Sequence, residues 1–157
     1  MEKIIIVAFD EERAIGKDGE IPWHYSSDMK HFREKTTGNT VLMGRKTYES
    51  LPEDFRPLPD RKNIVLTRSE FDADESVSVA NSLDEAYSIA EDQEGDLFIA
   101  GGSSIYRQTL DDADRAIITR IPGKHDGDTF FPELGEDWIK SSEREEKGLQ
   151  FQEFTRS

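Results

Sequence analysis

The chain has 157 residues, enough for one domain with a buried core and too few for two full-sized domains with a linker. Asp and Glu number 34 against 20 Lys and Arg, so the net charge is −14, and such a surface repels nucleic acid and anionic membranes. Cysteine is absent, which excludes disulfides, thiolate metal sites and thiol nucleophiles. We expect a single domain over residues 1–157 that binds neither nucleic acid nor membrane and acts as a monomer.

No membrane span, secretion signal or metal cofactor is expected. No stretch approaches the about 20 consecutive apolar residues of a span, and the short apolar run near the N-terminus is followed by acids. The histidines, His24, His31 and His125, do not form a helical pair at metal-binding spacing. We therefore expect a cytoplasmic protein without a metal.

The acidic residues are spread along the chain and do not form a tail, which indicates a charged folded surface. Ordinary solubility would account for such a surface. Adaptation to molar salt would also account for it, since the screening length then falls to about 3 Å and self-repulsion becomes tolerable. We favour salt adaptation.

The predicted elements alternate along most of the chain. Lys3–Phe9 is a continuous apolar run typical of a central strand buried on both faces, and residues 40–43, 63–67, 76–80 and 97–100 repeat that character. Helices are predicted from the cap residues 26–28 to about residue 35, over Leu83–Glu91 after the cap Ser82, and from Ser103 to about residue 110. Strands that alternate with helices favour a mostly parallel sheet.

The last third of the chain has a different pattern. Residues 116–120, 139–145 and 149–154 are predicted strands without an intervening helix, and the last two form a hairpin that turns at Lys147-Gly148. This hairpin adds an antiparallel edge to the sheet. The proline-containing stretches 51–59 and 121–132 are predicted loops of the same domain.

Three predicted strands end in groups that suit phosphate, at the edge of the sheet where α/β proteins bind ligands. A glycine pair allows close approach of the backbone, and a following helix directs free N–H groups at an anion. A plain turn would explain any one of them, but together they predict an anionic ligand. The residues are Gly44, Arg45, Lys46 and Thr47, then Thr67 and Arg68, then Gly101, Gly102, Ser103 and Ser104.

The first predicted helix places Asp28 and Phe32 on one face, four residues apart. Asp28 is either a first-turn acid favoured by the helix dipole or a catalytic carboxylate. No partner carboxylate or nucleophile motif is evident, which favours redox chemistry by a bound cofactor. The preceding segment, residues 10–23, is either a lid or a surface loop held by Trp23.

Taken together, these motifs resemble the dihydrofolate reductase family in order and spacing over nearly the whole chain, and the acidic composition resembles the haloarchaeal members. The motifs are Ala14-Ile15-Gly16, Ile21-Pro22-Trp23, Asp28 with Phe32, Met43-Gly44-Arg45-Lys46-Thr47, Pro57-Leu58-Pro59-Asp60-Arg61-Lys62-Asn63, Gly101-Gly102 and Gly127-Asp128-Thr129.

The resemblance implies an α/β fold with a central, mostly parallel eight-stranded sheet, an antiparallel C-terminal edge and helices on both faces. It also implies that NADPH reduces 7,8-dihydrofolate to tetrahydrofolate, with a hydride to C6 and a proton to N5, for one-carbon and thymidylate metabolism. In the catalytic group, Asp28 and Thr119 would bind the pterin beside Trp23 and Tyr106. Substrate would further contact Ile6, Val7, Phe32, Leu51 and Arg61, the last through the glutamate α-carboxylate.

For the cofactor, the resemblance implies that backbone at Ala8 and Ile15 holds the carboxamide, with Gly16 next in the lid and Tyr106 beside the nicotinamide. The phosphates would be approached by the strand-end residues given above. Ser104 stands where bacterial relatives often have an arginine, so selection of NADPH would depend on Arg45 and Arg68.

Three alternatives remain at this point. A pyrimidine reductase of riboflavin synthesis would share the cofactor half but would not need Asp28, Phe32 and Arg61 for a glutamate-tailed pterin. A binding module without catalysis would keep the phosphate sites, but the lid and Asp28 argue against it. An acidic decoy for nucleic-acid-binding proteins would explain only the charge.

Overall fold

A computed structural model describes residues 1–18 and 20–156. The strands of its main sheet are β1 Lys3–Phe9, β3 Thr40–Gly44, β4 Lys62–Leu66, β5 Val77–Ala80, β6 Leu97–Ile99, β7 Arg115–Arg120, β9 Trp138–Glu146 and β10 Leu149–Arg156. They lie in the order β5-β4-β3-β6-β1-β7-β10-β9. Two short strands, β2 Ala14–Gly16 and β8 Thr129–Phe130, form a separate antiparallel pair.

Helices cover both faces of the sheet. They are α1 Ser26–Thr36, α2 Arg45–Glu49, α3 Leu83–Glu91 and α4 Ser103–Thr109, with a 3₁₀ turn at Glu53–Phe55. Phe32 and Tyr48, from α1 and α2, pack into the apolar cluster on one face, whereas Ala86 and Ile105, from α3 and α4, pack into the other. The predicted α/β fold is confirmed. Over the described residues, no helix is long and apolar enough to cross a membrane.

The sheet is parallel from β5 to β7 and antiparallel at the C-terminal edge. β1 lies between β6 and β7 and pairs in parallel with both, and this confirms its predicted central place. β10 pairs antiparallel with β7 and with β9. The turn between β9 and β10 has positive φ at Lys147 (52°) and Gly148 (85°), the backbone that a tight hairpin requires.

The helix starts only partly follow the predicted caps. The Ser82 side chain caps α3 as predicted, since it accepts a hydrogen bond from the Glu85 N–H. α1 and α4 instead begin after Tyr25 and Gly102, without a side-chain cap. Backbone N–H groups in the first turn of α1 donate to the Tyr25 carbonyl. This carbonyl takes the capping role that was predicted for residues 26–28.

Candidate active site

Asp28 lies half-buried in the first turn of α1, directed at the sheet. Burial raises the pKa of the Asp28 carboxyl, and a hydrogen bond from the Thr119 hydroxyl offsets only part of this. Thr119 itself is buried on β7 and pairs with Ala8 of β1 in the sheet register. Asp28 therefore holds a proton more readily than an exposed aspartate and is fixed to the centre of the sheet.

Tyr106 completes this group from the other side of β1. Its hydroxyl is buried and donates to the Ile6 carbonyl at 2.8 Å. Burial raises the pKa of Tyr106, and the negative charge of Asp28 raises it further. Tyr106 therefore stays protonated, and its phenol lies close enough to Asp28 for the carboxylate charge to raise its pKa.

Several of the predicted substrate residues come together on one face of the sheet. Ile6, Phe32 and Leu51 belong to the same apolar cluster. The Arg61 guanidinium lies 5.9 Å from the centroid of the Phe32 ring, and it donates from Nε to the Pro59 carbonyl and from Nη1 to Thr36 Oγ1. These hydrogen bonds hold the positive charge of Arg61 in place beside Phe32.

Val7 is placed differently from Ile6. Successive side chains of a strand point to opposite faces, and Val7 packs in the cluster that contains Tyr106. The two residues predicted for the pterin pocket therefore lie on the two sides of β1.

The carboxyl ends of β3 and β6 form a glycine-lined corner. The Gly44 N–H donates to the Gly101 carbonyl at 2.9 Å. Gly101 has a φ of 106°, and a Cβ there would lie 3.2 Å from the Tyr106 ring. A Cβ on Gly102 would lie 3.5 Å from Thr47 Oγ1. A side chain at Gly101 would therefore crowd the Tyr106 ring, and one at Gly102 would lie against the Thr47 hydroxyl.

Arg45 joins this corner to the end of β4. Its Nη1 donates to Ser69 Oγ at 3.2 Å and to the Glu70 carbonyl at 3.3 Å, and Ser69 Oγ lies 3.1 Å from Thr67 Oγ1. Arg68 is exposed in the same short segment. The two predicted strand ends are therefore adjacent, and two arginines lie at one edge of the site.

The remaining predicted phosphate residues surround this edge. Lys46 is exposed on α2, and Ser103 is half-buried at the start of α4. Ser104 is exposed, and its hydroxyl accepts from Gln108 Nε2 at 2.9 Å. Among the described residues, no group of three or more His, Asp or Glu could hold a metal ion.

Residues 10–23, either a lid or a surface loop by sequence and called the lid below, are held against the loop before β8; Gly19 lies outside the described residues. Ile15 and Gly16 belong to β2, which pairs with β8. A Cβ on Gly127 would lie 2.5 Å from Ala14 Cβ, so only glycine permits this approach. Trp23, near the end of the lid, contacts the His125 ring edge-on at a centroid distance of 5.0 Å.

The family model for dihydrofolate reductase matches residues 3–156 of this chain. The chain belongs to the dihydrofolate reductase family. It is thus a member of a family of oxidoreductases, and the resemblance predicted from the motif order is confirmed.

Individual relatives agree with this assignment. A dihydrofolate reductase of Staphylococcus aureus is 42% identical over 144 residues, 91% of this chain and 86% of the relative. Dihydrofolate reductase HdrB of Haloferax volcanii is 34% identical over 160 residues, 98% of this chain and 82% of the relative, in keeping with the predicted haloarchaeal likeness. A solved dihydrofolate reductase of Enterococcus faecalis, complexed with NADP(H) and RAB-propyl, superposes with a TM-score of 0.89 at 35% identity, over 99% of this chain and 96% of that one.

Sequence reasoning missed the residues that connect the lid to the rest of this family fold. Asp10 and His125 are in contact although they lie 115 positions apart in the sequence, and no local sequence pattern predicts such a pair. The sequence identifies Asp128 only as part of a motif. In the structure its side chain accepts from the Asp18 N–H at 2.9 Å, and its own N–H donates to the Gly16 carbonyl at 3.0 Å. Such contacts depend on how two loops meet.

Proposed function

We propose that this chain reduces 7,8-dihydrofolate to 5,6,7,8-tetrahydrofolate with NADPH, and so supplies one-carbon and thymidylate metabolism. The observation that carries the proposal is the half-buried Asp28 carboxyl. It is hydrogen-bonded by Thr119, and its negative charge raises the pKa of Tyr106. A carboxyl group in this setting suits a flat heterocycle with adjacent N–H donors. Membership of the family favours the pterin as that heterocycle.

On the pterin side, Asp28 accepts hydrogen bonds from the 2-amino group and from N3, and Thr119 supports the same contact. Two such bonds fix the ring in its plane and hold C6 where the reaction occurs. Since Thr119 and Ala8 are paired strand residues, the ring is oriented by the sheet. Trp23 encloses the ring from the lid.

N5 of the pterin must gain a proton during the reduction. The immediate donor is a water admitted beside the lid, and Asp28 acts through orientation and electrostatics. The raised pKa of Asp28 supports this role, because burial makes the carboxyl a stronger proton acceptor than an exposed one.

The rest of the substrate lies along α1 and the loop before β4. Phe32 and Leu51 enclose the aminobenzoyl ring. Ile6 lines the pterin pocket with its side chain, and Val7, whose side chain lies on the opposite face of β1, lines it with backbone. Arg61 pairs with the glutamate α-carboxylate in a bidentate contact. The hydrogen bonds from Arg61 to Pro59 and Thr36 favour this, because the guanidinium is oriented before substrate arrives.

The glycine-lined corner fits a dinucleotide, since side chains at Gly101 or Gly102 would fill the space beside Tyr106 and Thr47. When bound, NADPH supplies the hydride. Backbone at Ala8 and Ile15 binds the carboxamide, and Tyr106 lies beside the nicotinamide. Arg45 and Arg68 bind the 2′-phosphate. The other contacts come from Gly16, Gly44, Lys46, Thr47, Thr67, Gly101, Gly102, Ser103 and Ser104.

Product analysis tests this proposal. Purified protein in molar KCl, given NADPH and dihydrofolate, should form one tetrahydrofolate for each NADPH oxidised. A ribosylated pyrimidine offered in parallel should not react. Reduction of the pyrimidine in preference to dihydrofolate would refute the proposal. The monomeric state and the cytoplasmic location remain predictions, which gel filtration in molar KCl and cell fractionation would test.

A further inference from the structure

Asp10 is a fully buried carboxylate at the end of β1 that joins two loops. Its Oδ1 accepts from the N–H groups of Glu12 and Ala14, both at 2.9 Å. Its Oδ2 accepts from the His125 N–H at 2.9 Å and lies 3.0 Å from His125 Nδ1. Because an ionised carboxylate only accepts, Nδ1 is the protonated nitrogen of the ring.

Hydrogen bonds keep this carboxylate ionised despite its burial. Burial alone would raise the pKa of Asp10, but the bonds from Ala14, His125 and Glu12 together lower it. A buried charge of this kind is stabilised only while its donors stay in place. The start of the lid and the loop around His125 are therefore held to one geometry.

The same histidine reaches the other end of the lid. The Trp23 ring meets the His125 ring edge-on at 5.0 Å and 64°. Trp23 and Ala8 pack against one small cluster, formed by Ile121, Leu149 and Phe151. The pair Asp10–His125, here called the clasp, thus contacts both ends of a segment whose middle includes β2.

The backbone beside the clasp is held in unfavourable conformations. Arg13 has a φ of 63° and Asp126 a φ of 51°, values that non-glycine residues rarely adopt. Arg13 precedes Ala14, and Asp126 follows His125. Such conformations persist where surrounding contacts enforce them, and they concentrate near functional segments.

We propose that Asp10 and His125 are positioning residues, which place Ala14-Ile15-Gly16 for the cofactor and Trp23 for the pterin cleft. Neither residue is among those that contact substrate or cofactor in the proposed reaction. The ligand half of this inference rests on the proposed function, whereas the placement of Trp23 is a property of the free protein. Loss of the clasp should weaken NADPH binding and expose Trp23 in a protein that still folds.

The test uses four variants in a Trp138→Phe background, which leaves Trp23 as the remaining one of the two tryptophans. Asp10→Asn removes the charge from the clasp. His125→Phe keeps an aromatic ring beside Trp23 but removes the Nδ1 contact with Asp10. His125→Asn removes the ring but keeps a polar side chain that can hydrogen-bond Asp10. The matched control is Asp114→Asn, because Asp114 also accepts a backbone N–H from β1, that of Lys3 at its other end.

Two quantities are measured in folded protein, checked by circular dichroism. The acrylamide quenching constant of Trp23 without ligands should rise at least about twofold in Asp10→Asn and His125→Asn. It should stay at the parent value in His125→Phe. The NADPH dissociation constant, by equilibrium dialysis, should rise about tenfold in Asp10→Asn and His125→Phe, and less in His125→Asn. Binding of dihydrofolate should weaken in Asp10→Asn and His125→Asn, which expose Trp23, and should stay near the parent value in His125→Phe.

A lowered melting temperature with quenching and NADPH affinity equal to those of Asp114→Asn would show a merely structural role and overturn the inference. If the parent protein binds no NADPH, the proposed function fails. In that case the quenching series still decides whether the clasp positions Trp23, since it needs no ligand.

Discussion

The Thr119 hydroxyl on β7 donates a hydrogen bond to the Asp28 carboxylate on α1. β7 pairs with β1 on one side and β10 on the other, so Thr119 lies in the interior of the sheet. The carboxyl group that we propose orients the pterin is therefore tied to the interior of the sheet.

Replacement of Asp28 by Asn should lower turnover with dihydrofolate by about 100-fold or more near neutral pH. The amide is nearly the same size but removes the negative charge that fixes the pterin and supports protonation of N5. NADPH affinity should change little, because Asp28 is not a cofactor contact. Steady-state kinetics and NADPH titration measure the two effects.

The control for this change is Glu34→Gln on the same helix, since Glu34 forms an exposed pair with Lys30 at 3.7 Å. That variant should keep wild-type turnover. Unchanged turnover in Asp28→Asn would remove Asp28 from its assigned role.

Replacement of Arg45 by Gln, and of Arg68 by Gln in a separate variant, should each weaken NADPH binding by about 10- to 100-fold. This is the loss expected when a charge-assisted hydrogen bond worth about 1.5–3 kcal/mol disappears. NADH lacks the 2′-phosphate, so its affinity should change within about twofold. Arg144→Gln, on the distant strand β9, serves as the matched loss of charge. Equal losses for NADPH and NADH would contradict the placement of these arginines.

The pH dependence of stability should reveal the charge on Asp10. Since the fold lowers the pKa of Asp10 below its ordinary value of 3.8, the unfolded chain binds more protons in that range. The stabilisation is therefore complete above the ordinary value and is lost as pH falls through the lowered one. In urea unfolding, the free energy of unfolding of the wild type should exceed that of Asp10→Asn by a constant amount down to about pH 5. This gap should narrow below about pH 4. A gap as wide at pH 3 as at pH 5 would argue against this sign.

Much of the fold was predictable because it depends on local pattern. The apolar run of β1, the Ser82 cap of α3 and the turn at Lys147-Gly148 each satisfy their own short-range requirement, and the structure places all three as expected. α2, with five residues, and the strands β2 and β8, with three and two, are too short to leave a periodic pattern. These elements form because neighbouring segments hold them.

The candidate site shows the same division. Residue type and order identify Asp28, Arg61 and the Gly101-Gly102 pair as candidates, and their roles in ligand binding stay predictions. The contact of Asp10 with His125 was not predictable, because it spans 115 positions and its strength comes from burial that only the folded chain supplies. Ile6 and Val7 lie on opposite faces of β1 because successive side chains of a strand alternate, so this separation was predictable from the sequence.

Stability and activity should both rise from low salt to molar KCl. The net charge of −14 destabilises the compact state and repels two anionic ligands, and salt at that concentration screens charges beyond about 3 Å. Thermal unfolding and kcat/KM across a KCl series measure the two effects. A sorbitol series of matched osmolality should reproduce little of either. Curves that stay flat or fall with KCl would contradict salt adaptation.

The most direct test of the central claim is the rate of NADPH oxidation on addition of dihydrofolate in molar KCl. It is followed by absorbance, with NADH and a no-folate reaction alongside. We expect oxidation that depends on dihydrofolate, is faster with NADPH than with NADH and is about 100-fold slower or more in the Asp28→Asn protein. Folded wild-type protein that leaves NADPH unoxidised in that salt would contradict the account.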